Sequence, residues 1–574
     1  MATKTYPGRR GVGIEWISTY VPKPRMPAQT LAESRKKDAN KHFIKGLGVT
    51  SFSVPNADED IVTLMSNAEI KLYNETGLRP QDITGQRYTA TESSYCNTTP
   101  VGALMVRPLE MYFGPDTVTQ GSDEMKFACQ SGWRAVLRAV NEIYASDDPN
   151  MRSVVTMGDI AEYPFESAGE PTSGAYSVSM LIGRNPIISL DPRLSAEYTL
   201  WSHEFTKLRI PLGDNRVTGS TMPEVDGHHS QYNYTLTTGR GYVKLEKKFK
   251  AMGLPSPMEL ADFIVVHLPH SSMNLRQGAS LQVHHYRVNL PDQYPTLVAE
   301  AVASYNAQVD AREEKGPKIC GEPKLDGLTS QHEALNVVRR LGQLKKQLEH
   351  EHPNIQEVLH LLQALVKYGI TEKSVTEAVA KLEADSGSMN REQIIEALKP
   401  VEAEVKTFLT HYESFRKGVV STQRFKQEFG YLDPLTLEIK IPGKGVYSMV
   451  FSAMLGNGYS SAIGMGTYST LWYSGDGVDK NILHVPYGSG SGTNPSLGVI
   501  EEPVHDFLRH TSPRNITEGT VPLSIQQYER LHRHRETVGP VKPEYILAED
   551  NPDKVVTLQN IRGNGWREYG VRRR

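Results

Sequence analysis

Glu124-Met-Lys-Phe-Ala-Cys129-Gln-Ser-Gly-Trp-Arg-Ala-Val136 sets one cysteine between small residues at the mouth of a helix. Ser131 and Gly132 permit close backbone approach, and Trp133, Ala135, Val136 and Ala139 form an apolar stripe at helical spacing behind it. A thiol at a helix N-terminus faces the positive end of the macrodipole and unpaired N–H groups, which favour the thiolate. Cys129 is therefore a candidate nucleophile. The competing reading is a buried, inert thiol, since free cysteines are among the most buried residues. A single cysteine needs partners from elsewhere in the chain.

The bulk numbers narrow the class. At 574 residues the chain exceeds what one core holds and should divide into about two to four units. Lys plus Arg at 63 against Asp plus Glu at 66 leaves a net charge of −3, which argues against a general binder of nucleic acid or anionic membranes. Cys96, Cys129 and Cys320 are too few and too scattered for a disulfide framework, and no paired zinc-ligand spacing is present. The N-terminus carries no apolar signal core, and no run reaches about 18 uninterrupted apolar residues. The expectation is a soluble cytoplasmic protein.

Upstream of Cys129, residues Gly11 to Val21 alternate as a strand does and are stopped by Pro22 and Pro24. Residues Ala57 to Ile70 open acidic and continue at helical spacing, which predicts an N-capped helix, with Gly77 ending the turn that follows. Arg87-Tyr-Thr-Ala-Thr-Glu92 is a short β-prone run ending in a carboxylate. Glu92 is the second candidate, against the ordinary reading of a solvated strand-end glutamate.

Downstream, the run from Ser153 to Asp159 reads as a buried strand. Gly169-Glu-Pro-Thr172-Ser-Gly174-Ala enters an alternating strand, its small residues letting a ligand pass close to the backbone. A turn-rich stretch from Val225 to Tyr232 precedes a helix predicted over Tyr242 to Met252. Ala261-Asp-Phe-Ile-Val-Val-His267-Leu-Pro-His270 is an apolar strand with two histidines at its C-terminal end, where ligands gather in open α/β sheets. A structural, hydrogen-bonding histidine is the alternative.

From Asp310 to Gly418 the composition turns helical. Leu335, Val338, Leu341 and Leu348 mark one face, and Ile355, Val358, Leu359, Leu362 and Leu365 another. This reads as an inserted module whose stripes form its own core or a partner surface. The α/β pattern then resumes. Gly445 to Leu455 is a buried strand or helix start, and Gly456-Asn457-Gly-Tyr-Ser-Ser461 a glycine-rich turn entering a helix, with Asn457 able to donate to a ligand oxygen. Ile482-Leu-His-Val-Pro-Tyr487-Gly-Ser489-Gly-Ser-Gly492 is a strand followed by a glycine loop. Neither loop matches a P-loop or a dinucleotide fingerprint.

Read in order, Ala90-Thr-Glu92-Ser, Phe127-Ala-Cys129-Gln-Ser-Gly132, Gly169-Glu-Pro-Thr-Ser-Gly-Ala175, Val266-His267-Leu-Pro269, Gly456-Asn457-Gly-Tyr-Ser-Ser461 and Pro486-Tyr-Gly-Ser-Gly490 resemble the hydroxymethylglutaryl-CoA synthases, a family of thiolase-like condensing enzymes. The tail, Leu558-Gln-Asn-Ile-Arg-Gly-Asn-Gly-Trp-Arg-Glu-Tyr569, looks like the family's ending. The resemblance implies an α/β, duplicated five-layer αβαβα fold carrying the helical module as an insertion. Residues 1–185 would be the first half, 186–309 the start of the second, 310–418 the module and 419–574 the remainder of the second half.

The same resemblance implies Cys129 as nucleophile, Glu92 as general acid/base and His267 as polar partner of the acceptor, with Thr172, Gly174, Asn457, Ser489 and Arg276 at the substrate. It implies acetyl-CoA and acetoacetyl-CoA as substrates, no metal or other cofactor, a homodimer, no nucleic-acid or membrane partner, and a place in isoprenoid synthesis through mevalonate. Ser271-Ser272-Met273 departs from the pattern, because the family often has a lysine just before that methionine. His270 stands where an aromatic residue is common, and Arg276 is the nearby cation. Acyl groups on a carrier protein are therefore an alternative to CoA, and a non-catalytic thioester-binding scaffold is a third reading. The insertion is a candidate site for a protein partner.

Overall fold

The computed structural model describes residues 5–574 apart from 97, 201–204, 207–210, 213–215, 218–223, 226, 312, 314–315, 324–376, 378–379, 381–390, 476, 535–538, 564–565 and 573–574. The apolar positions Leu335 to Leu365 of the inserted module lie outside the described residues.

Nine strands, β1 (Gly13–Tyr20), β2 (Arg87–Ala90), β3 (Ser122–Met125), β4 (Ser153–Ala161), β5 (Gly174–Gly183), β6 (Ile188–Ser195), β7 (Phe263–Val266), β8 (Asn481–Val485) and β9 (Ser496–Ile500), form one hydrogen-bonded sheet in the order β7-β8-β9-β6-β1-β5-β4-β2-β3. The junction is narrow: β1 meets β6 only through Gly13 opposite Ser189 and Ile14 opposite Ile188. Gly13 is required there, because a Cβ would sit 2.0 Å from the Ile188 carbonyl oxygen. On either side of the junction the pattern repeats. β2 and β4 are parallel and β4 and β5 antiparallel, as β7 and β8 are parallel and β8 and β9 antiparallel. This is an internal duplication; a second-half counterpart of β3 is not found among the described residues.

The helices that matter for the site are α1 (Ile61–Thr76), α2 (Ser131–Ala145), α3 (Gly227–Ala251), α4 (Ser272–Asn289), α5 (Tyr294–Asp310), α6 (Arg391–Ser421), α7 (Met449–Leu455), α8 (Ala462–Ser474) and α9 (Ile525–His534). Helix α1 begins as its acidic start predicts, with a capping box between Asp60 and Thr63, and ends at Gly77 in the left-handed region. Helices α2 and α8 lie between the half-sheets. Trp133, Val136 and Val140 share one core with Ile463, with Val155 and Val178 of the first half and with Val265, Ile482 and Ile500 of the second. A second core joins Tyr242, Leu245 and Phe249 of α3 and Leu281 of α4 to Leu483, Val485, Leu497 and Val499 on the opposite face. With α1 covering the outer face of the first half, the layers run helix, sheet, helix, sheet, helix.

Two boundaries differ from the sequence reading, and one open alternative is resolved. Helix α3 starts at Gly227, well upstream of Tyr242, through a threonine-rich run of low helix propensity. Thr235 and Thr238 return their hydroxyl protons to the carbonyls of Gln231 (3.1 Å) and Tyr234 (2.6 Å), so these side chains are satisfied inside the helix. The stretch from Gly445 to Leu455 is helical. Helix α6 passes through residue 418, where the module was expected to end; Phe415 and Val419 are buried in the second-half core, and Gly418 seats against the Ala301 carbonyl of α5.

An ionic cluster ties the C-terminal tail to the start of α1. Lys554 Nζ donates to Asp58 (2.6 Å) and Glu549 (2.5 Å), while the fully buried Glu59 accepts from Tyr20 OH and from Asn56 N at 2.7 Å. Burial pushes the Glu59 carboxyl up to about 7, against the pull of Lys554. Between the ordinary carboxylate range and that value, the folded chain holds a proton that the unfolded chain has released. Stability attributable to Glu59 is therefore present at low pH and lost as pH rises through this window. Glu59→Gln is expected to flatten the fall in unfolding free energy between about pH 5 and pH 7 in denaturant titrations. An unchanged slope would contradict this assignment.

Candidate active site

Cys129 lies in a 3-10 turn, Ala128–Gln130, that runs straight into α2. Ala128 holds a φ of 45°, a conformation residues with a Cβ adopt rarely and one that clusters at functional sites. The turn is covered by the second half's glycine loop. A Cβ on Gly488 would meet the Phe127 carbonyl at 2.3 Å, and one on Gly492 the Gln130 side chain at 2.1 Å, so only glycines let the loop seat. Seating brings the Ser489 N–H to the Cys129 sulfur. Ala161, Tyr163 and Tyr459 complete the wall around the thiol.

Burial pushes the Cys129 thiol well above its ordinary range, and the nearby Asp159 and Glu92 carboxylates push it further; the N–H groups of Cys129 and Ser489 pull the other way. The helix-terminus argument from sequence is thus outweighed by desolvation, and the resting residue is a thiol.

Glu92 follows β2, with its backbone N–H donated to Asp159 Oδ1 at 2.6 Å. Asp159, fully buried in β4, also accepts from Thr91 Oγ1 (3.0 Å), Ser93 Oγ (2.9 Å), Ser460 N (2.9 Å) and Ser460 Oγ (2.5 Å). His267 follows β7, its N–H donated to Val485 O (3.2 Å) and its carbonyl accepting from Tyr234 OH (2.8 Å). Its ring lies 6.2 Å from that of Tyr234 and 6.4 Å from that of Tyr487. His267 Nδ1 is buried with no hydrogen-bond partner among the described residues. Burial lowers this imidazole to about 3, so it is neutral at physiological pH.

The remaining candidates divide. Asn457 and Thr172 converge on the hydroxyl of Tyr163 beside Cys129. Gly174 allows β5 to pass the Asn457 loop, since a Cβ would lie 2.6 Å from the Asn457 carbonyl oxygen. Arg276 stands apart on α4, donating to Gln231, with Arg416 and Glu413 of α6 beside it. His270 connects the regions electrostatically, facing both His267 and Arg276, and its Nδ1 is 2.9 Å from Ser272 Oγ. Asp159, Tyr163, Tyr234, Tyr487 and Ser460 belong to the site without having been candidates. Only Asp159 carried a signal, a carboxylate at the end of an apolar strand.

Among the described residues, no helix is long and apolar enough to cross a membrane, and no group of three or more His, Cys, Asp or Glu side chains is placed to hold a metal ion.

Residues 8–186 match the family model described as hydroxymethylglutaryl-coenzyme A synthase N terminal. A hydroxymethylglutaryl-CoA synthase of Haloferax volcanii is 33% identical over 256 residues, covering 45% of this chain and 54% of that protein. One from Gibberella zeae is 29% identical over 293 residues, covering 49% and 60%. The chain thus spans little more than half the length of these relatives. In solved structures, MvaS in complex with 3-hydroxy-3-methylglutaryl coenzyme A superposes with a TM-score of 0.63 at 17% identity, over 98% of this chain and 99% of that one. The curacin biosynthetic pathway HMG synthase in complex with acetyl donor-ACP gives 0.60 at 16% identity, over 98% and 100%. The duplicated sheets and central helices make a thiolase-like fold. Over its N-terminal region the chain is similar to the hydroxymethylglutaryl-CoA synthases.

Proposed function

We propose that this chain condenses acetyl-CoA with acetoacetyl-CoA through an acetyl-Cys129 intermediate, giving a hydroxymethylglutaryl thioester and free CoA. The observation that carries this is one buried thiol facing the Glu92 carboxylate and a backbone N–H from the opposite half. In the first step the sulfur of Cys129 displaces CoA from the acetyl group. The thiol proton ends on the departing CoA sulfur, so this exchange is proton-neutral and suits a thiol that burial keeps protonated. The N–H groups of Cys129 and Ser489 stabilise the oxyanion. Glu92 then removes a methyl proton, the enolate carbon attacks the acceptor ketone, and the new alkoxide, stabilised by an imidazole N–H of His267, takes that proton back from the Glu92 carboxyl. Water finally cleaves the Cys129 thioester and restores the thiol. Thr172, Gly174, Asn457 and Ser489 line the acyl end, and Arg276 the carrier end.

A second reading, in which a carrier protein replaces CoA, is favoured by Ser271. The next residue, Ser272, stands just before Met273 where a lysine is common; its hydroxyl lies 2.9 Å from His270 Nδ1, and neither serine offers a cation there. The deciding experiment supplies labelled acetyl-CoA and labelled acetyl carrier protein in parallel and measures the mass of the Cys129 peptide. Label on neither route would defeat the proposal.

We further assign the inserted helices an association role, in a homodimer or with a protein partner, because every proposed catalytic group lies outside them. Residues 412–421 are packed into the second half, so the test confines the deletion to 325–390. A Gly/Ser linker there is expected to leave Cys129 acetylation near normal, since closure entropy grows only logarithmically with length, while mass by light scattering changes. Lost acetylation in a folded variant, or unchanged association, would reject the role.

A further inference from the structure

Helix α8 repeats α2 in the way it begins as well as in its place. Ala128, with φ 45°, opens the 3-10 turn Ala128–Gln130 before α2; Tyr459, with φ 39°, opens the 3-10 turn Tyr459–Ser461 before α8. Counted from the left-handed residue, Ser460 occupies the position that Cys129 holds in the first half. The duplicate elbow therefore presents a hydroxyl where the first presents a thiol. That hydroxyl lies 2.5 Å from Asp159 Oδ2 and 3.0 Å from the Ala90 carbonyl, and the Ser460 N–H donates to the same Asp159 oxygen at 2.9 Å. The other oxygen, Oδ1, accepts from Thr91, Glu92 and Ser93. One carboxylate thus bolts the second-half elbow to the backbone of Glu92.

We propose that Ser460 is a positioning residue for the condensation: the second-half elbow holds Asp159, and Asp159 holds the backbone of Glu92 so that its carboxyl faces the acyl group on Cys129. This rests on the reading that Cys129 carries the acetyl group and Glu92 removes its methyl proton. Losing the hydroxyl removes one donor from Asp159 Oδ2, which weakens the ionised form of a fully buried carboxylate. Titratable neighbours facing Asp159 are Cys129, Tyr176 and Tyr459, with Glu92 joined to it through its N–H and Lys126 donating to the Thr91 carbonyl beyond. Activity that needs ionised Asp159 is lost as pH falls, so a weakened anion moves the acid limb upward.

The test compares Ser460→Ala, Ser460→Cys and Ser460→Thr with the unaltered chain. It reads the acetyl fraction on Cys129 from acetyl-CoA, the wash-out of deuterium from a deuterated acetyl group into water, and the condensation rate against pH. Ser460→Ala is expected to acetylate normally but to exchange and condense about 10- to 100-fold more slowly, the span of a charge-assisted hydrogen bond, with its acid limb displaced upward. Ser460→Thr should restore most of the rate, and the near-isosteric Ser460→Cys, a weaker donor that keeps the fold, should fall between. Exchange at the unaltered rate in Ser460→Ala and Ser460→Cys would overturn the proposal while leaving the acetyl-Cys129 reading intact. Equal losses of acetylation and exchange with no shift of the acid limb would also overturn it, making Ser460 purely structural. Absence of acetyl from Cys129 in the unaltered chain would overturn both.

Discussion

Cys129→Ala is expected to take up no acetyl group and to condense nothing, a loss on the order of 10⁶-fold, as when a nucleophile is removed from a site that acts as a unit. The variant should fold, because the side chain removed is small and α2 is anchored independently by Trp133, whose Nε1 donates to Ser496 Oγ at 3.0 Å and whose ring stacks on His484 at 3.9 Å. General thiol reactivity would give a misleading answer. Cys96 is partly exposed, and although burial opposes ionisation, hydrogen bonds from the hydroxyl and N–H groups of Thr99 and Thr98 bring its thiol down to about 7. Alkylating reagents should therefore label Cys96 ahead of the buried Cys129, whereas an acetyl group delivered by its thioester should appear on the Cys129 peptide. Peptide mass after digestion separates the two. Acetyl mapping to Cys96, or full condensation by Cys129→Ala, would reject the assignment.

The candidates that sequence reading offers are residues whose placement is set locally. Cys129 stands before two small residues and a helical stripe, Glu92 and His267 end short β-prone runs, and the capping box of α1 shows in an acidic start. Where long-range packing decides, local argument gives out. The helix dipole alone favours a thiolate at Cys129, but the sheath of Ala161, Tyr163, Tyr459 and the glycine loop removes water and reverses the balance. Threonines in α3 weaken a helix in isolation, yet the hydroxyls of Thr235 and Thr238 bond back along its own backbone. Ser460 lacks any local mark of its role, which exists only once Ala90, Asp159 and the second elbow are brought together. The duplication behind that role is visible in strand order and direction and not in residue identity.

Glu92 and His267 should fail after acylation and in different ways. Glu92→Ala is expected to retain acetyl uptake and to lose condensation by about 10²- to 10⁴-fold, the usual worth of a positioned general base. Glu92→Gln should fall equally far, since it preserves the backbone bond to Asp159 and most of the volume but removes the base; a mild effect in Gln beside a severe one in Ala would make Glu92 a packing residue. His267 calls for a different signature. Burial keeps its imidazole neutral, with a value of about 3, so it donates a hydrogen bond without bringing a charge and should contribute no limb to the condensation profile between about pH 5 and pH 8. His267→Ala should raise KM for the acetoacetyl thioester more than for acetyl-CoA, and His267→Asn, which keeps an N–H donor, should recover part of that loss. The decisive pairing is acetyl fraction on Cys129 against condensation rate in the same preparations. Equal loss of acetylation in the Glu92 and His267 variants would mean that the site collapses without them, and a limb near pH 6 that vanishes in His267→Asn would mean that the imidazole works as a cation.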